Sequence, residues 1–366
     1  MDESPGPAGA THRYPCPACG ADLRFAPGGA GLVCDHCGHE ETIERSAAPP
    51  AIREKDFRTA LAEKLPQADT EDIRTAHCNS CGADIEFDPA VHAQECPFCA
   101  SPVVADTGAQ RRLKPQALIP FALDETTAQA AMARWLGRLW FAPSGFAQYA
   151  RKGRRLAGIY VPFWTYDAAT RSAYRGARGR TYWVNRIESG NGEKRTAKVQ
   201  KIEWTPVSGQ VARVFDDVLV LAAASLPRQH TDALAPWDLS GLVPYTPDYL
   251  AGFRAESYTV SLDEGFTRAR KIMDATIARD VRFDIGGDRQ RIDAIQTEVS
   301  EVTFKHVLLP VWTAAYRYRG KSYRFVVNGQ TGAVSGERPW SVWKVAAALL
   351  LAIAAAAALG YLSGQG

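Results

Sequence analysis

The spacing of hydrophobic positions changes several times along the chain, and each change predicts a different element. Residues 52–65 carry apolar side chains at helical intervals and stop before Pro66, which predicts a short connecting helix. Two longer helices are predicted, from the acids at 123–125 to about Trp140 and from those at 262–264 to about Ala278. Acidic residues suit both helix starts, because free amides and the helix dipole favour negative charge there.

Two apolar runs share one signature and predict equivalent strands. They read IYVPFWT at 159–165 and VLLPVWT at 307–313, and each continues into a strand with Tyr-Arg-Gly. Short apolar strands at 118–121 and 258–260 precede the two predicted helices. We therefore predict a duplicated β-α-β-β domain of the α+β class, with an antiparallel sheet and aromatic side chains in its core. The proline in each signature strand predicts an edge or a bulge.

The first of these units contains an insertion. The strand at Thr181–Val184 leads through a hairpin turn at 189–192 into a basic strand, and a further apolar strand runs from Val211 to Leu221. Asp216 and Asp217 lie in that last strand. Because neighbouring strand residues point to opposite faces, we predict that these two carboxylates do not share a site. The acids of the loop 284–288 are expected to cap turns.

The C-terminus predicts a membrane span. Residues 345–362 hold no charged side chain, and 18 helical residues extend about 27 Å, close to the thickness of a hydrocarbon core. Trp340 and Trp343 precede the segment with Arg338 and Lys344, an arrangement typical of a membrane interface with its basic flank in the cytoplasm. The alternative is an alanine-rich helix of a soluble bundle.

All eight cysteines fall into two matched sets of paired C-x-x-C motifs. Each set separates its two motifs by 14 residues and places Gly-Ala-Asp after the first motif. This spacing predicts two structural zinc ribbons, each holding one Zn²⁺ through four thiolates and leaving no open position for catalysis. Disulfides and redox motifs are the weaker alternatives. The acidic N-terminal residues predict no signal peptide, and a redox site would be expected to use one C-x-x-C motif, not four in two matched pairs. The metal ligands are Cys16, Cys19, Cys34, Cys37, Cys78, Cys81, Cys96 and Cys99. His36, His39, His77 and His92 lie nearby and are expected to be spare.

Charge is distributed unevenly along the chain. Residues 1–110 hold 8 Lys/Arg against 18 Asp/Glu, whereas residues 151–201 hold 13 against 3. The acidic ribbons are thus poor candidates for nucleic-acid binding, which needs positive charge. The basic region is a candidate for contact with an anionic surface, or for a solvated face. Its candidate contacts are Arg151, Lys152, Arg154, Arg155, Lys194, Arg195, Lys198 and Lys201.

The motifs together resemble a bacterial family of membrane-anchored twin zinc-ribbon (TFIIB-type zinc ribbon) proteins. The resemblance rests on the paired four-cysteine ribbons, YVPFW, FDDVLV, YLAGF, IGGD, FKHVLLPVW, VNGQTG and the terminal span. Its members often carry the name "primosomal protein N′ (replication factor Y), superfamily II helicase". The chain has no phosphate-cradling G-x-x-x-x-G-K-[ST] loop, so we expect no helicase and no enzyme. The resemblance implies SPFH-domain and phage-shock proteins as partners.

These observations predict the following organisation: a flexible leader at 1–13, ribbon 1 at 14–45, a linker with a short helix at 46–76, ribbon 2 at 77–105, α+β units at 115–257 and 258–336, and a transmembrane anchor at 340–363. The predicted function is a tail-anchored adaptor at the bacterial inner membrane, single-pass, with its body in the cytoplasm. The alternative is a nucleic-acid-binding accessory of replication or transcription that uses the basic region.

Overall fold

The computed structural model describes residues 14–29, 31–43, 52–62, 70–86, 93–99, 101–104, 109–143, 156–190, 193–318 and 321–363. In this part of the chain the fold is α+β and consists mostly of strands, as predicted. Most of the N-terminal strands form small sheets of two or three strands, and one of them, β4, pairs with the main sheet. They are β1 (Leu23–Phe25), β2 (Gly31–Cys34), β3 (Glu40–Thr42), β4 (Lys55–Asp56), β5 (Thr70–His77), β6 (Asp84–Glu86), β7 (Ala93–Glu95), β8 (Pro102–Val104) and β9 (Ala109–Leu113).

The rest of the described chain contributes eight strands to a nine-stranded sheet, whose ninth strand is β4, together with most of the helices. The strands are β10 (Ala117–Leu118), β11 (Ala157–Gly190), β12 (Glu193–Leu221), β13 (Val243–Pro244), β14 (Arg254–Ala255), β15 (Arg289–Tyr318), β16 (Lys321–Asn328) and β17 (Val334–Gly336). The helices are α1 (Phe57–Leu61), α2 (Glu125–Gly137), α3 (Arg228–Asp232), α4 (Leu262–Ile285) and α5 (Val342–Ser363).

The two signature strands pair with each other at the centre of the sheet. β11 and β15 are antiparallel, and the equivalent positions Val161 and Leu309 are direct partners. The two signature tryptophans make matching bonds across the pair: Trp164 Nε1 donates to the carbonyl of Val260, and Trp312 Nε1 donates to that of Leu123, both at 3.0 Å. Each acceptor lies just before a long helix of the other half. The pairing has the two-fold pattern of two similar units, while duplication itself stays a prediction.

Both signature prolines lie in central strands, at the point where the outer neighbour changes. Beside Pro162 the neighbour of β11 switches from β14 to β12, and beside Pro310 the neighbour of β15 switches from β10 to β16. Each proline carbonyl still accepts a bond, from Ala222 N and Gly329 N respectively. On the outer side of each proline one neighbouring strand has ended and the next has not yet begun. The missing N–H of proline therefore removes no hydrogen bond from the sheet.

Helix α4 covers one face of the long strands β11, β12 and β15. Ser261 caps its start, Met273, Ile277 and Val281 are buried along its length, and Gly286 ends it with φ 67°. The helix is therefore seven residues longer than the predicted end at Ala278. The opposite face of these strands is exposed at Arg171 and Arg175 among other positions.

The predicted helix at 52–65 is only partly formed over its described residues, 52–62, whereas 63–65 lie outside the described residues. Lys55 and Asp56 form β4 on the edge of β15, and 57–61 are helical. Asp56 caps the helix, and Phe57 is buried against Tyr166 and Phe266. The segment between the ribbons is thus a strap packed on the main sheet. We call residues 52–61 the strap.

Candidate metal centres

The first four-cysteine centre is built from two tight turns. The amide of Gly20 donates to the carbonyl of Cys16 and that of Gly38 to Cys34, and both glycines have φ near 75°. Such positive φ values favour glycine, because a Cβ atom would be strained there. The turns bring Cys16 Sγ within 3.5 Å of Cys37 Sγ, and Cys19 Sγ within 3.5 Å of Cys34 Sγ.

The second centre repeats this geometry. Gly82 closes the first turn on Cys78 with φ 74°, and the sulfurs pair at 3.5 Å (Cys78 with Cys99) and 3.6 Å (Cys81 with Cys96). In each centre the four sulfurs lie within 4.8 Å of one another. Neither group includes a histidine, among the residues that the structure describes. His77 instead contacts Asp84 at 2.7 Å, whereas His92 lies outside the described residues.

The sulfur distances fit a metal ion and exclude disulfides in this conformation. A disulfide needs about 2.05 Å between sulfurs, whereas four Zn–S bonds of about 2.3 Å at tetrahedral angles place them about 3.8 Å apart. The amides of Cys37 and His36 lower the pKa of the Cys34 thiol to about 6. The pKa of Cys81 is raised by its hydrogen bond with Cys96 and by burial. Ionising all four thiols of a centre at this spacing would need a cation to balance their charge.

Both centres are packed onto the main sheet instead of standing apart. In the first ribbon, Phe25 donates its amide to Ala251 O and lies 5.2 Å from the Tyr249 ring. In the second ribbon, Asp84 O accepts from Ser257 N, and the Pro97 carbonyl accepts from Thr313 Oγ1 at 3.2 Å. A cleft of about 1080 Å³ lies between the two ribbons and the sheet. Metal loss at either ribbon would therefore disturb the core beneath it.

A buried lysine and three carboxylates form a further polar centre, separate from the two cysteine centres, which the sequence did not predict. The Lys305 ammonium lies 2.8 Å from Asp217 Oδ1, 2.9 Å from Glu54 Oε1 and 3.8 Å from Asp167 Oδ2, and its side chain is 8% exposed. Burial lowers the pKa of Lys305, but its bonds to Asp217 and Glu54 outweigh burial and raise the pKa above its ordinary value. Burial and the hydrogen bond with Glu54 raise the pKa of Asp167 to about 6.

Two β-bulges create this lysine centre. On β12, Asp216 and Asp217 together face the single residue Asp167, and Asp217 has φ 51°. On β15, Glu301 has φ 53° at the facing irregularity. The bulge ends the usual alternation of faces, so Asp216 lies within 4.8 Å of Asp167 and Glu54 while Asp217 contacts the lysine. The prediction that the two carboxylates do not share a site is therefore wrong.

The acids of the loop 284–288 bond to the remote strand β11, so the expectation that they cap turns is not confirmed. Asp288 Oδ2 accepts from the amide of Thr181, and Asp284 Oδ2 accepts from the Tyr174 hydroxyl. Two other buried groups lie near the ribbons and the strap. Glu256 is 1% exposed, and burial raises its pKa well above the ordinary value. His306 is buried against Trp164, and burial lowers its pKa to about 4.

The basic region is only partly described. Arg151, Lys152, Arg154 and Arg155 lie outside the described residues, and so do the side chains of Lys194 and Arg195, whose backbone belongs to β12. Lys198 and Lys201 are exposed on β12. There β11 and β12 extend as a two-stranded hairpin beyond Gly179, the last partner of β15. We call residues 180–186 and 198–204 the arm.

Exposed aromatic residues accompany these lysines on the arm. Trp183 is 63% exposed, Trp204 40% and Tyr182 44%. Strand pairing places Trp183, Ile202 and Trp204 on one face of the hairpin, because paired residues share a face. Arg291 lies 5.5 Å from the Trp204 ring. The arm thus combines positive charge with aromatic surface at one end of the long sheet.

Helix α5 lies at the other end of the sheet. Val342–Gly360 is long and apolar enough to span a membrane, and none of it is buried. The chain reaches it from β17, which pairs with β16 beside the signature end of β15. The 34 residues of β11 correspond to about 110 Å of extended strand, so the arm and this helix lie at opposite ends of that strand.

Comparison with known proteins identifies one similar chain. No family model matches the sequence, and no solved structure matches it. The chain is similar to the uncharacterized protein YdjG of Bacillus subtilis (strain 168), with 26% identity over 335 residues. The alignment covers 91% of this chain and 92% of YdjG. The similarity therefore extends well beyond the two cysteine-rich segments.

Proposed function

We propose that this chain is a tail-anchored adaptor that holds two structural zinc ions and presents docking surfaces for proteins at the cytoplasmic face of the bacterial inner membrane. The carrying observation is the separation of features along the sheet. An apolar helix with no buried residue leaves one end, and an exposed aromatic and basic hairpin forms the other. We assign the chain no catalytic role.

Zinc is the metal that best suits the two centres. Four thiolates within 4.8 Å of one another match the tetrahedral all-sulfur coordination of structural zinc, and such a shell is closed to substrate. Because both ribbons pack on the sheet, zinc would stabilise the surface between them as well as each ribbon. This role agrees with an adaptor, whose docking surfaces need fixed geometry.

Helix α5 supplies the proposed anchor. An apolar helix with no buried residue leaves a large hydrophobic area in water, and a bilayer removes that cost. Arg338 and Lys344 on its N-terminal flank favour a cytoplasmic body. The anchor is tested by membrane fractionation: the full-length chain should resist extraction by high salt, and a chain ending at Gly336 should be released. A full-length chain that is soluble without detergent would refute the anchor.

The arm is the proposed docking element for protein partners. Exposed tryptophans flanked by cations are typical binding hot spots, and the positive charge suits an acidic partner surface. The family resemblance points to SPFH-domain and phage-shock proteins as partners to test first. With the anchor in the bilayer, the long sheet would carry the arm to a partner at a distance from the anchor.

A paired comparison tests the arm. The full-length chain and a Trp183→Ser/Lys201→Ser variant would be crosslinked in cells, extracted with detergent and purified, and the recovered SPFH-domain and phage-shock proteins quantified. We expect recovery to fall about thirtyfold, since truncating a hot-spot tryptophan costs on the order of 2 kcal/mol. Phe283→Ser is the matched control, because Phe283 is 90% exposed but lies on α4. Equal recovery from all three proteins would refute the docking role.

Nucleic-acid binding is the second candidate function, and the shape of the arm favours it. A two-stranded β-ribbon fits the major groove, and exposed aromatic rings can stack on unpaired bases. Lys198→Ser/Lys201→Ser should then weaken binding of DNA or RNA to the full-length protein and reduce the slope of log K against log salt by about two. No salt-dependent affinity in the unchanged protein would exclude this candidate.

A further inference from the structure

Two segments 200 residues apart meet where helix α5 leaves the body. The turn after α2 carries Trp140 and Phe141, and the segment before α5 carries Trp340 and Trp343. Ser341 N donates to the carbonyl of Phe141 at 2.7 Å, and the Phe141 and Trp340 rings lie 6.1 Å apart. We call these four aromatic residues, with Arg138, Arg338 and Lys344, the collar.

The collar is exposed although it is held in place. Trp140 is 84% exposed, Trp343 86% and Trp340 58%. Below it, α2 packs on the sheet through Trp135, whose ring lies 5.3 Å from that of Phe325. Lys344 Nζ donates to the carbonyl of Ala142 at 2.8 Å, which ties the first turn of α5 to the α2 side. The aromatic surface is thus fixed by the fold and faces outward.

The charge of the collar is uniformly positive. Residues 138–143 and 338–344 contain three cations and no acid. The Arg338 guanidinium lies 4.6 Å from the Trp340 ring centre, a contact that places a cation beside an aromatic surface. Tryptophan combined with arginine and lysine next to an apolar helix suits the headgroup region of an anionic bilayer, where the rings lie at the interface and the cations meet phosphates.

We propose that the collar is a membrane-interface surface in which the α2 turn, through Trp140 and Phe141, contacts lipid together with the start of α5. The inference rests on the proposed membrane span. It adds a second contact between body and bilayer, from a part of the chain far from the anchor in sequence. Two contacts restrict rotation of the body about the anchor, so the sheet holds a fixed orientation to the membrane.

Quenching of tryptophan fluorescence tests this proposal. The full-length protein would be reconstituted in vesicles of phosphatidylcholine and phosphatidylglycerol, with or without brominated acyl chains, which quench only nearby rings. We expect three quenched tryptophans: 140, 340 and 343. Trp140→Phe should then remove about one third of the quenched component, and Trp343→Phe a similar share. Because Trp140 is largely exposed, its replacement leaves the core intact. Trp183→Phe on the arm is the matched control and should leave the quenched component unchanged.

The outcomes separate this proposal from the anchor itself. If Trp343→Phe lowers the quenched component and Trp140→Phe does not, the anchor stands and the collar contact is refuted. If neither change lowers the quenched component and the protein does not stay with the vesicles, both the membrane anchor and the collar contact are refuted. Protection of Trp140 from acrylamide without quenching by brominated lipid would show that a second copy of the chain covers the collar, and would also overturn the proposal.

Discussion

Replacing Lys305 tests whether the buried charge centre holds the strap on the sheet. Lys305→Met keeps much of the side-chain volume and removes the ammonium. It leaves the carboxylates of Asp167, Asp217 and Glu54 together without their cation; their side chains are 15%, 26% and 38% exposed. Because Glu54 belongs to the strap, the change should destabilise both the sheet at the bulges and the attachment of the strap.

The loss of unfolding free energy in Lys305→Met depends on how exposed the three carboxylates are. Removing one partner of a buried ion pair costs about 3–5 kcal/mol, whereas an exposed pair contributes at most about 1 kcal/mol. Glu54 is more than a third exposed, so solvent screens its share, and Asp167 and Asp217 are half-buried. We therefore expect a loss of about 3 kcal/mol at pH 8. The loss should shrink at pH 5, since the pKa of Asp167 is about 6 and its protonation relieves the repulsion.

Denaturant unfolding of the detergent-solubilised full-length protein, followed by circular dichroism, measures this loss. Trypsin cleavage at Lys55 and Arg58 reports separately on release of the strap. Lys271→Met on the exposed side of α4 is the matched control and should change the unfolding free energy by less than about 0.5 kcal/mol. A Lys305→Met protein as stable as the unchanged one at pH 8, or equally destabilised at pH 5 and pH 8, would refute the reasoning.

Three further predictions address other parts of the molecule. Elemental analysis should find about two zinc ions per chain, and Cys78→Ser should reduce this to one, because the other centre keeps its four ligands. Asp167→Asn should flatten the dependence of stability on pH between 4 and 6: the raised pKa means that the carboxyl contributes stability below about pH 4 that is lost as pH rises through 6. Gly265→Ala should lower the melting temperature despite the higher helix propensity of alanine, since its Cβ would lie 2.3 Å from Tyr166 Oη and 2.7 Å from Trp164 Cδ1.

The sequence predicts those features that depend on local spacing. Each four-cysteine centre follows from its own turns, and the antiparallel pairing of β11 with β12 follows from polar turn residues between two strands. The N-cap role of Asp124 is likewise local, and its Oδ1 accepts from the amide of Thr127 at 2.8 Å. Such features need no knowledge of the remote parts of the chain.

Features that depend on contacts between residues far apart in the chain could not be predicted from the sequence. The lysine centre requires the register of β12 and β15 against β11, and two bulges that no local motif predicts. The strap looks helical because Phe57 and Leu61 are correctly spaced, but β15 offers an edge to residues 55 and 56 and shortens the helix. The collar could not be predicted for the same reason, since only the fold brings Phe141 to Trp340.

The position of the arm bears on the earlier expectation of lipid contact by the basic region. If the collar marks the bilayer surface, Lys198 and Lys201 lie near the far end of a strand about 110 Å long. Screening limits electrostatic attraction to about 8–10 Å at physiological salt, so these lysines can meet headgroups only if the sheet lies along the membrane. An upright sheet leaves them to a soluble partner. The orientation set at the collar therefore decides which acidic surface the arm binds.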